Sequence, residues 1–348
     1  MKPRKSRAAA STGKPHVDQA VNALLETASI EQDTELYREM IGTIVKMAGD
    51  KPRLADVLQF TKVIKEMRYA NKVFAPYHGT KKISIFGSAR TSPKAGAYKA
   101  AQEFGKMMME SGYMVITGGG DGIMAAAQAG AGRERSFALN IELPFEQDAN
   151  KTIKGDPKLI TFKYFFTRKL NFVKHSNAIA LFPGGFGTMD ECFESFTLLQ
   201  TGKAPIVPVV LVDEPKGNFW KTFEHYLREH LLGDGLISED DFSLIKVTTD
   251  LAEARKEILD FYYNFHSYRY VGTACVLRMQ REVPGGSIRR LREDFSDVLT
   301  QKDGLDICGP LPAEINEPEL AHLPRLLIHF NRRNYGRLRE LINRINLF

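Results

Sequence analysis

The stretch Ala180-Leu-Phe-Pro-Gly-Gly-Phe-Gly-Thr-Met-Asp-Glu191 decides the fold. An apolar run, Ile179 to Phe182, ends in Pro183 and two glycines. Gly187-Thr188 then leads into a segment that reads as a helix from Asp190 to Gln200. A buried strand that delivers a glycine-rich turn to a helix N-terminus puts free backbone N–H groups and the positive end of the helix dipole where an anion can sit. The carboxylates of Asp190, Glu191 and Glu194, expected in the first turns of that helix, would repel a phosphate. Glu191 is therefore expected to serve another group, such as a sugar hydroxyl or a developing cation. Glycine turns of this kind also occur as plain α/β connections, and acidic residues in a first turn are common dipole partners. The whole string is more specific than its glycines.

Outward from that stretch, short apolar runs alternate with helical patterns. Lys82-Ile-Ser-Ile-Phe86 reads as a first strand ending at Gly87-Ser88, and Tyr98 to Ser111 as a helix closed by Gly112. Tyr113 to Thr117 is a second strand, followed by Gly118-Gly119-Gly120-Asp121-Gly122 and an Ala-rich helix, Ile123 to Ala131. Ser136 to Leu143, ending before Pro144, and Leu159 to Phe162 read as further strands, and Tyr164 to Ser176 as a helix bearing Arg168 and Lys169. Ile206 to Val212 and Leu244 to Val247 continue the strands; Asn218 to Leu232 and Leu251 to Phe265 are helices. This alternation predicts a Rossmann-like, doubly wound parallel α/β sheet over about 80–265.

Four segments are expected in all. Residues 1–15 form a disordered basic tail and 16–79 a helical segment broken near Glu31, with helical spacing resuming over Leu54 to Val73. The α/β unit follows over 80–265. Residues 266–348 form a helical extension, with helices at Leu320 to Phe330 and Tyr335 to Ile345, and with Pro284-Gly285-Gly286 as a loop.

With 348 residues and 43% hydrophobic content the chain has ample material for a core, and no apolar run is long enough to span a bilayer. The net charge of +6 is concentrated at the ends. Residues 1–15 hold five basic and no acidic side chains, and 266–348 hold thirteen basic against ten acidic. A nucleic-acid surface needs a concentrated basic face with stacking aromatics, so no nucleic-acid partner is expected. The N-terminus lacks the apolar core of a secretory signal. Cys192, Cys275 and Cys308 without CxxC spacing point to reduced thiols and a cytoplasmic location. Cys192, beside Glu191, reads as a buried small hydrophobe rather than a nucleophile.

The two glycine turns, 118–122 and 184–187, are expected to face one crevice at the carboxyl edge of the sheet. Neither is a P-loop, and 118–122 has the wrong spacing for a dinucleotide fingerprint, which leaves NAD as the weaker ligand. An arginine near a phosphate or purine, with a carboxylate at the sugar, suits cleavage of an N-glycosidic bond: a negative group steadies an oxocarbenium-like transition state and can orient water. Arg168-Lys169 alone would read as a solvated helix face; their placement just before the strand that feeds the glycine turn favours the site.

Pro183-Gly-Gly-Phe-Gly-Thr-Met-Asp-Glu191 resembles the PGGxGTxxE signature of the Lonely Guy family, nucleoside 5′-monophosphate phosphoribohydrolases long labelled "lysine decarboxylase-like". Gly118-Gly119-Gly120 with Gly122 resembles the family's GGGxxG turn, and Thr167-Arg168-Lys169 its RK site. The resemblance covers about 80–265 and implies a Rossmann-like fold, a homodimer or higher homo-oligomer, and release of a free base and ribose 5-phosphate; no metal and no cofactor are expected. It implies that Arg168 and Glu191 are catalytic. The substrate-binding set it suggests is Ser88, Gly118, Gly119, Gly120, Gly122, Lys169, Gly184, Gly185, Gly187, Thr188, Asp190 and Thr197. Asp190 stands where many members have glutamate. The terminal extensions, absent from small members, leave open whether cytokinin riboside monophosphate, AMP or a pyrimidine nucleotide is the substrate. The residues offer no support for decarboxylation, since no lysine lies in a recognisable Schiff-base context. A nucleotide-binding regulator on the same fold is the alternative reading.

Overall fold

The computed structural model describes residues 11–143 and 148–348. The basic tail expected over 1–15 lies outside the described residues as far as residue 10, and so does Pro144. The chain divides into two compact units, Met1–Lys65 and Glu66–Phe348. In the first, Pro15 opens helix α1 (Pro15–Thr27), a position where its missing N–H costs nothing. Positive φ at Ser29 and Asp33 breaks the chain before α2 (Thr34–Gly49). The Arg38 Nε donates to the Asn22 side chain at 2.7 Å, joining the two helices. The boundary between units falls within α3 (Leu54–Phe74), whose Ala70 and Phe74 belong to the core of the second.

The second unit opens with β1 (Lys82–Phe86), α4 (Gly96–Glu110), β2 (Met114–Thr117), α5 (Ile123–Ala131), β3 (Ser136–Ile141) and β4 (Leu159–Phe162). It continues with α6 (Phe165–His175), β5 (Ala178–Leu181), α7 (Phe186–Gln200), β6 (Val209–Val212), α8 (Phe219–Tyr226), β7 (Ile245–Thr248) and α9 (Leu251–Phe261). The strands form one parallel sheet in the order β4-β3-β2-β1-β5-β6-β7. Alternate residues along each strand enter opposite layers. Ile179, Leu181, Val209 and Leu211 pack with Phe172 of α6 and Cys192 of α7, while Ala178, Ala180, Val210 and Val212 pack with α4, α5 and α9. Burial on both faces explains why the strands read as unbroken apolar runs. The chain starts in the middle of the sheet, builds to one edge, and returns to build the other. The reversal lies between β1 and β5, where a crevice opens beyond their carboxyl ends.

Three sequence expectations are corrected. The helix after the central glycines starts at Phe186 rather than Asp190, with Gly185 as its N-cap, so Glu191 sits in the second turn and no acidic residue occupies the first. Residues 266–348 are not a helical extension. Together with Phe265 they hold all four strands of an antiparallel sheet ordered β10-β11-β9-β8, built from β8 (Phe265–Val271), β9 (Ala274–Met279), β10 (Leu305–Cys308) and β11 (Arg325–Ile328). Helices α10 (Gly285–Asp294) and α11 (Tyr335–Ile345) pack apolar residues onto it. The stretch Leu320 to Phe330, expected as a helix, instead turns and then enters β11 at Arg325, since Pro324 cannot continue a helical ladder and its carbonyl accepts from the Met279 amide at 2.9 Å. Pro284-Gly285-Gly286, expected as a loop, opens α10.

Helices α4 and α5 touch backbone to backbone: a Cβ at Gly105 would overlap the Ala127 carbonyl oxygen, and one at Gly130 the Gln102 carbonyl oxygen. Alanine at Gly105 gains ~1 kcal/mol of helix propensity, but overpacking two backbones costs ~1–3 kcal/mol. Gly105→Ala is expected to lower the urea midpoint despite the better helix former. A midpoint unchanged or raised would contradict this packing.

Candidate active site

The crevice between β1 and β5 is a cleft of about 700 Å³. Three strand-to-helix turns frame it, and backbone hydrogen bonds lace them together. The Ser88 amide donates to the Pro183 carbonyl at 3.1 Å, and the Ile123 amide to the Ser88 carbonyl at 3.0 Å. Gly122, at φ 62°, permits the second contact, because a Cβ there would overlap the Ser88 carbonyl oxygen. The N-termini of α5 and α7 carry no side-chain cap, so apart from the Ile123 amide, already bonded to Ser88, their first-turn amides are available to an anion in the cleft. From below, the buried Asn150 donates its amide group to the carbonyls of Gly119 at 3.1 Å and Gly120 at 3.0 Å and holds the first glycine turn.

Helices α6 and α7 bring the charged groups together. Arg168 Nη2 donates to Glu191 Oε1 at 3.2 Å, and both side chains line the cleft. The guanidinium lies near the rings of Phe165 and Phe172, and its Nε is buried without a partner among the described residues. Glu191 is 5% exposed. Burial pushes its carboxyl up to about 7, and the nearby Arg168 and Lys169 only partly offset that cost. Strong displacement by burial, beside a specific charge partner in a cleft, marks a functional group. Lys169 bridges Asp190 at 2.8 Å and Glu194 at 3.1 Å; burial disfavours its charge, but those two carboxylates outweigh burial and raise its pKa. Cys192 is fully buried and its thiol is pushed up to about 12, which makes it a packing residue.

Of the residues expected from sequence, Ser88, Gly118, Gly120, Arg168, Gly184, Gly185, Gly187, Thr188 and Glu191 line the cleft. Five do not. Gly119 and Gly122 shape the turn from behind, and Lys169 and Asp190 pair with each other beside it. Thr197 lines a separate cavity of about 180 Å³ with Phe193, Phe196 and Leu231. At ~100° per residue, six positions along α7 put it ~120° around the helix from Glu191. Sequence reasoning missed Arg90, Met124 and Asn140, which also line the cleft. Arg90 stands two residues after Ser88 in the loop following β1, a position that the carboxyl-end rule could have flagged. Among the described residues no three His, Cys, Asp or Glu side chains come together to hold a metal ion. No helix among them is long and apolar enough to cross a membrane.

Residues 121–258 match the family model described as possible lysine decarboxylase. Cytokinin riboside 5′-monophosphate phosphoribohydrolase LOG1 of Arabidopsis thaliana is 28% identical over 126 residues, 35% of this chain. Its rice counterpart LOG (Oryza sativa subsp. japonica) is 26% identical over 166 residues, 46% of this chain. Over these segments the chain is similar to the Lonely Guy family. It matches 58% and 65% of those two relatives' own lengths. Among solved structures, the molybdenum cofactor carrier protein of Chlamydomonas reinhardtii is 23% identical, matched over 52% of this chain and 98% of its own with a TM-score of 0.36. DNA processing protein A of Helicobacter pylori is 16% identical, matched over 52% of this chain and 82% of its own with a TM-score of 0.37. At that level of superposition neither bears on the chemistry of this cleft.

The Glu191 carboxyl also makes stability depend on pH. Its folded pKa of about 7 lies above the ordinary value of 4.5. The protonated form therefore stabilises the fold fully below about pH 4.5, and that contribution is lost as pH rises through about 7. Between pH 5 and pH 8 the wild type is expected to lose up to ~3 kcal/mol that Glu191→Gln does not lose. Urea unfolding of both proteins at the two pH values measures the difference, and equal losses would contradict the burial argument.

Proposed function

We propose that this protein is an enzyme of the Lonely Guy type, which hydrolyses the N-glycosidic bond of nucleoside 5′-monophosphates, AMP or a cytokinin riboside monophosphate among them, to a free base and ribose 5-phosphate. The observation that carries the reading is the Arg168–Glu191 pair, set in the same cleft as the open N-termini of α5 and α7. The phosphate sits at those termini, where amides and dipole favour it. Glu191, as the carboxylate, faces the ribose. As the bond from C1′ to the base breaks, its electron pair leaves with the base. Positive charge develops on the sugar, and a fixed carboxylate in a dry cleft steadies it. Water adds its oxygen to C1′ and gives up a proton, and the base departs protonated. Arg168 orients Glu191 and lines the cleft beside the nucleotide. Asp190 and Lys169 hold α6 to α7 around the pair. A homodimer belongs to the same proposal, supported by Phe165, Phe166 and Leu170, which lie about half exposed on the helix that bears Arg168.

Purified protein with AMP and a chelator is expected to release adenine, followed by chromatography. Below pH 7 the kcat/KM should rise about tenfold per pH unit and then level off, as Glu191 loses its proton. Glu191→Gln is expected to lower kcat by at least about a thousandfold while nucleotide binding stays within about tenfold, because the lost interaction belongs to the transition state. Tight AMP binding with no adenine released over hours would instead favour a nucleotide-binding regulator.

A further inference from the structure

Arg168 can reach Glu191 only if α6 starts in one place, and the start of α6 is held from far away in the chain. Tyr164 is its N-cap and supplies no side-chain cap. Glu66, on α3, brackets that start from either side of the N-cap. Its Oε1 accepts from the Lys163 amide at 2.7 Å, and its Oε2 accepts from the Thr167 hydroxyl at 2.6 Å. Glu66 is 6% exposed. A carboxylate at a helix N-terminus is favoured by the open amides and the dipole. Once buried, it is tolerated only while its oxygens stay bonded, so the two contacts tie α3 and α6 to a narrow geometry.

The clamp acts next door to the chemistry. Thr167 precedes Arg168, and one turn later the Asn171 side-chain amide donates to the Thr167 carbonyl at 2.8 Å and approaches Met67 Sδ at 3.4 Å. Further along the same pair of helices, Lys174 donates to the Asn71 side chain at 2.6 Å and Phe74 stacks on His175 at 3.8 Å. Those distal contacts hold the helices together; the Glu66 contacts lie at the first turn, the one that leads into Arg168. Nothing in the glycine turns or the RK pair requires a residue at this position.

We infer that Glu66 is a positioning residue for the proposed reaction: it clamps the first turn of α6 so that Arg168 meets Glu191 and the substrate. This rests on the roles given above to Arg168 and Glu191. The charged groups around Glu191 are Arg168 and Lys169 from α6 and Glu194 and Asp190 from α7, with Arg90 on the loop after β1 lining the same cleft. A slip of α6 moves Arg168 away and leaves the carboxyl less compensated.

The test uses the full chain carrying Glu66→Ala, Thr167→Val, Glu66→Gln or Lys174→Ala, with AMP as the probe. Two readouts are taken: kcat and KM for adenine release, and the Glu191 carboxyl titration by infrared difference spectroscopy without ligand, assigned by its loss in Glu191→Gln. Glu66→Ala is expected to lower kcat at least about tenfold with KM within about threefold, and to move the titration up by roughly half a pH unit or more. Thr167→Val, which removes one bond of the two, moves both readouts the same way by less, and decides the matter should Glu66→Ala not fold. Glu66→Gln keeps an oxygen for the Lys163 amide and stays within about threefold of wild type. Lys174→Ala moves neither readout. The inference is overturned if folded Glu66→Ala and Thr167→Val keep the wild-type titration and rate, or if Lys174→Ala reproduces their effects. Should the wild type release no adenine, the hydrolase reading fails by itself. The titration then decides the clamp: an upward shift in Glu66→Ala or Thr167→Val upholds it, and an unmoved one overturns it.

Discussion

A carboxylate held out of water, beside a guanidinium that only partly compensates it, is the constraint on which this site depends. Removing a charge from water costs more than one ion pair at 3.2 Å returns unless further bonds saturate both partners. Here the balance is left unfinished. Glu191 is buried with one donor from Arg168, and Arg168 keeps a buried Nε with no partner among the described residues. Such a pair is poorly suited to stabilise a fold and well suited to receive a ligand. It persists because the surrounding elements leave it no alternative: α6 and α7 are bound to each other by Lys169 and to the sheet by Phe172, Cys192 and Leu199.

The sheet order explains why the pair and the anion site coincide. With β1 and β5 adjacent and the chain diverging from them to both edges, the turns after β1, β2 and β5 converge on one crevice. Two of those turns end in helices whose uncapped amides face the same space that Glu191 and Arg168 enter from α6 and α7. Affinity for an anion thus comes from backbone, and reactivity from two side chains that the backbone carries. The carboxyl-terminal sheet plays no part in this cleft. It has its own core and its own buried charges: Glu314 accepts from Arg278 at 2.8 Å and from Arg325 at 3.3 Å, which pins the intervening loop on the strands.

Much of this was legible in the sequence wherever a strand is buried on both faces. Ile83 to Phe86 and Ile179 to Phe182 are apolar runs too short for helices and closed by glycine, and they were found within a residue or two. That Arg168 and Glu191 belong to one site was legible through the resemblance of their motifs to those of the Lonely Guy family. What escaped has local causes. Strands β10 and β11 are four residues each, and the leucines around Pro324 fit a helical spacing as well as an extended one; Pro324 was the signal that should have prevailed. The β8–β9 hairpin turns at Gly272-Thr273 between runs rich in Tyr, Val and Leu, a glycine-led two-residue turn that was readable and unused. Thr197 fits the family pattern, but its six-residue offset from Glu191 turns it to another side of α7. Glu66 and Asn150 could not be found by pattern at all. Their roles exist only where segments distant in sequence meet.

The most direct measurement is a crystal structure of Glu191→Gln soaked with AMP, a variant in which the nucleotide should survive. The account predicts the phosphate at the amides of residues 184–188, with the N-terminus of α5 alongside. The ribose C1′ should lie within contact of residue 191, with Arg168 on the same side of the sheet. A nucleotide bound elsewhere, or one whose ribose lies turned away from residue 191 and Arg168, would contradict it.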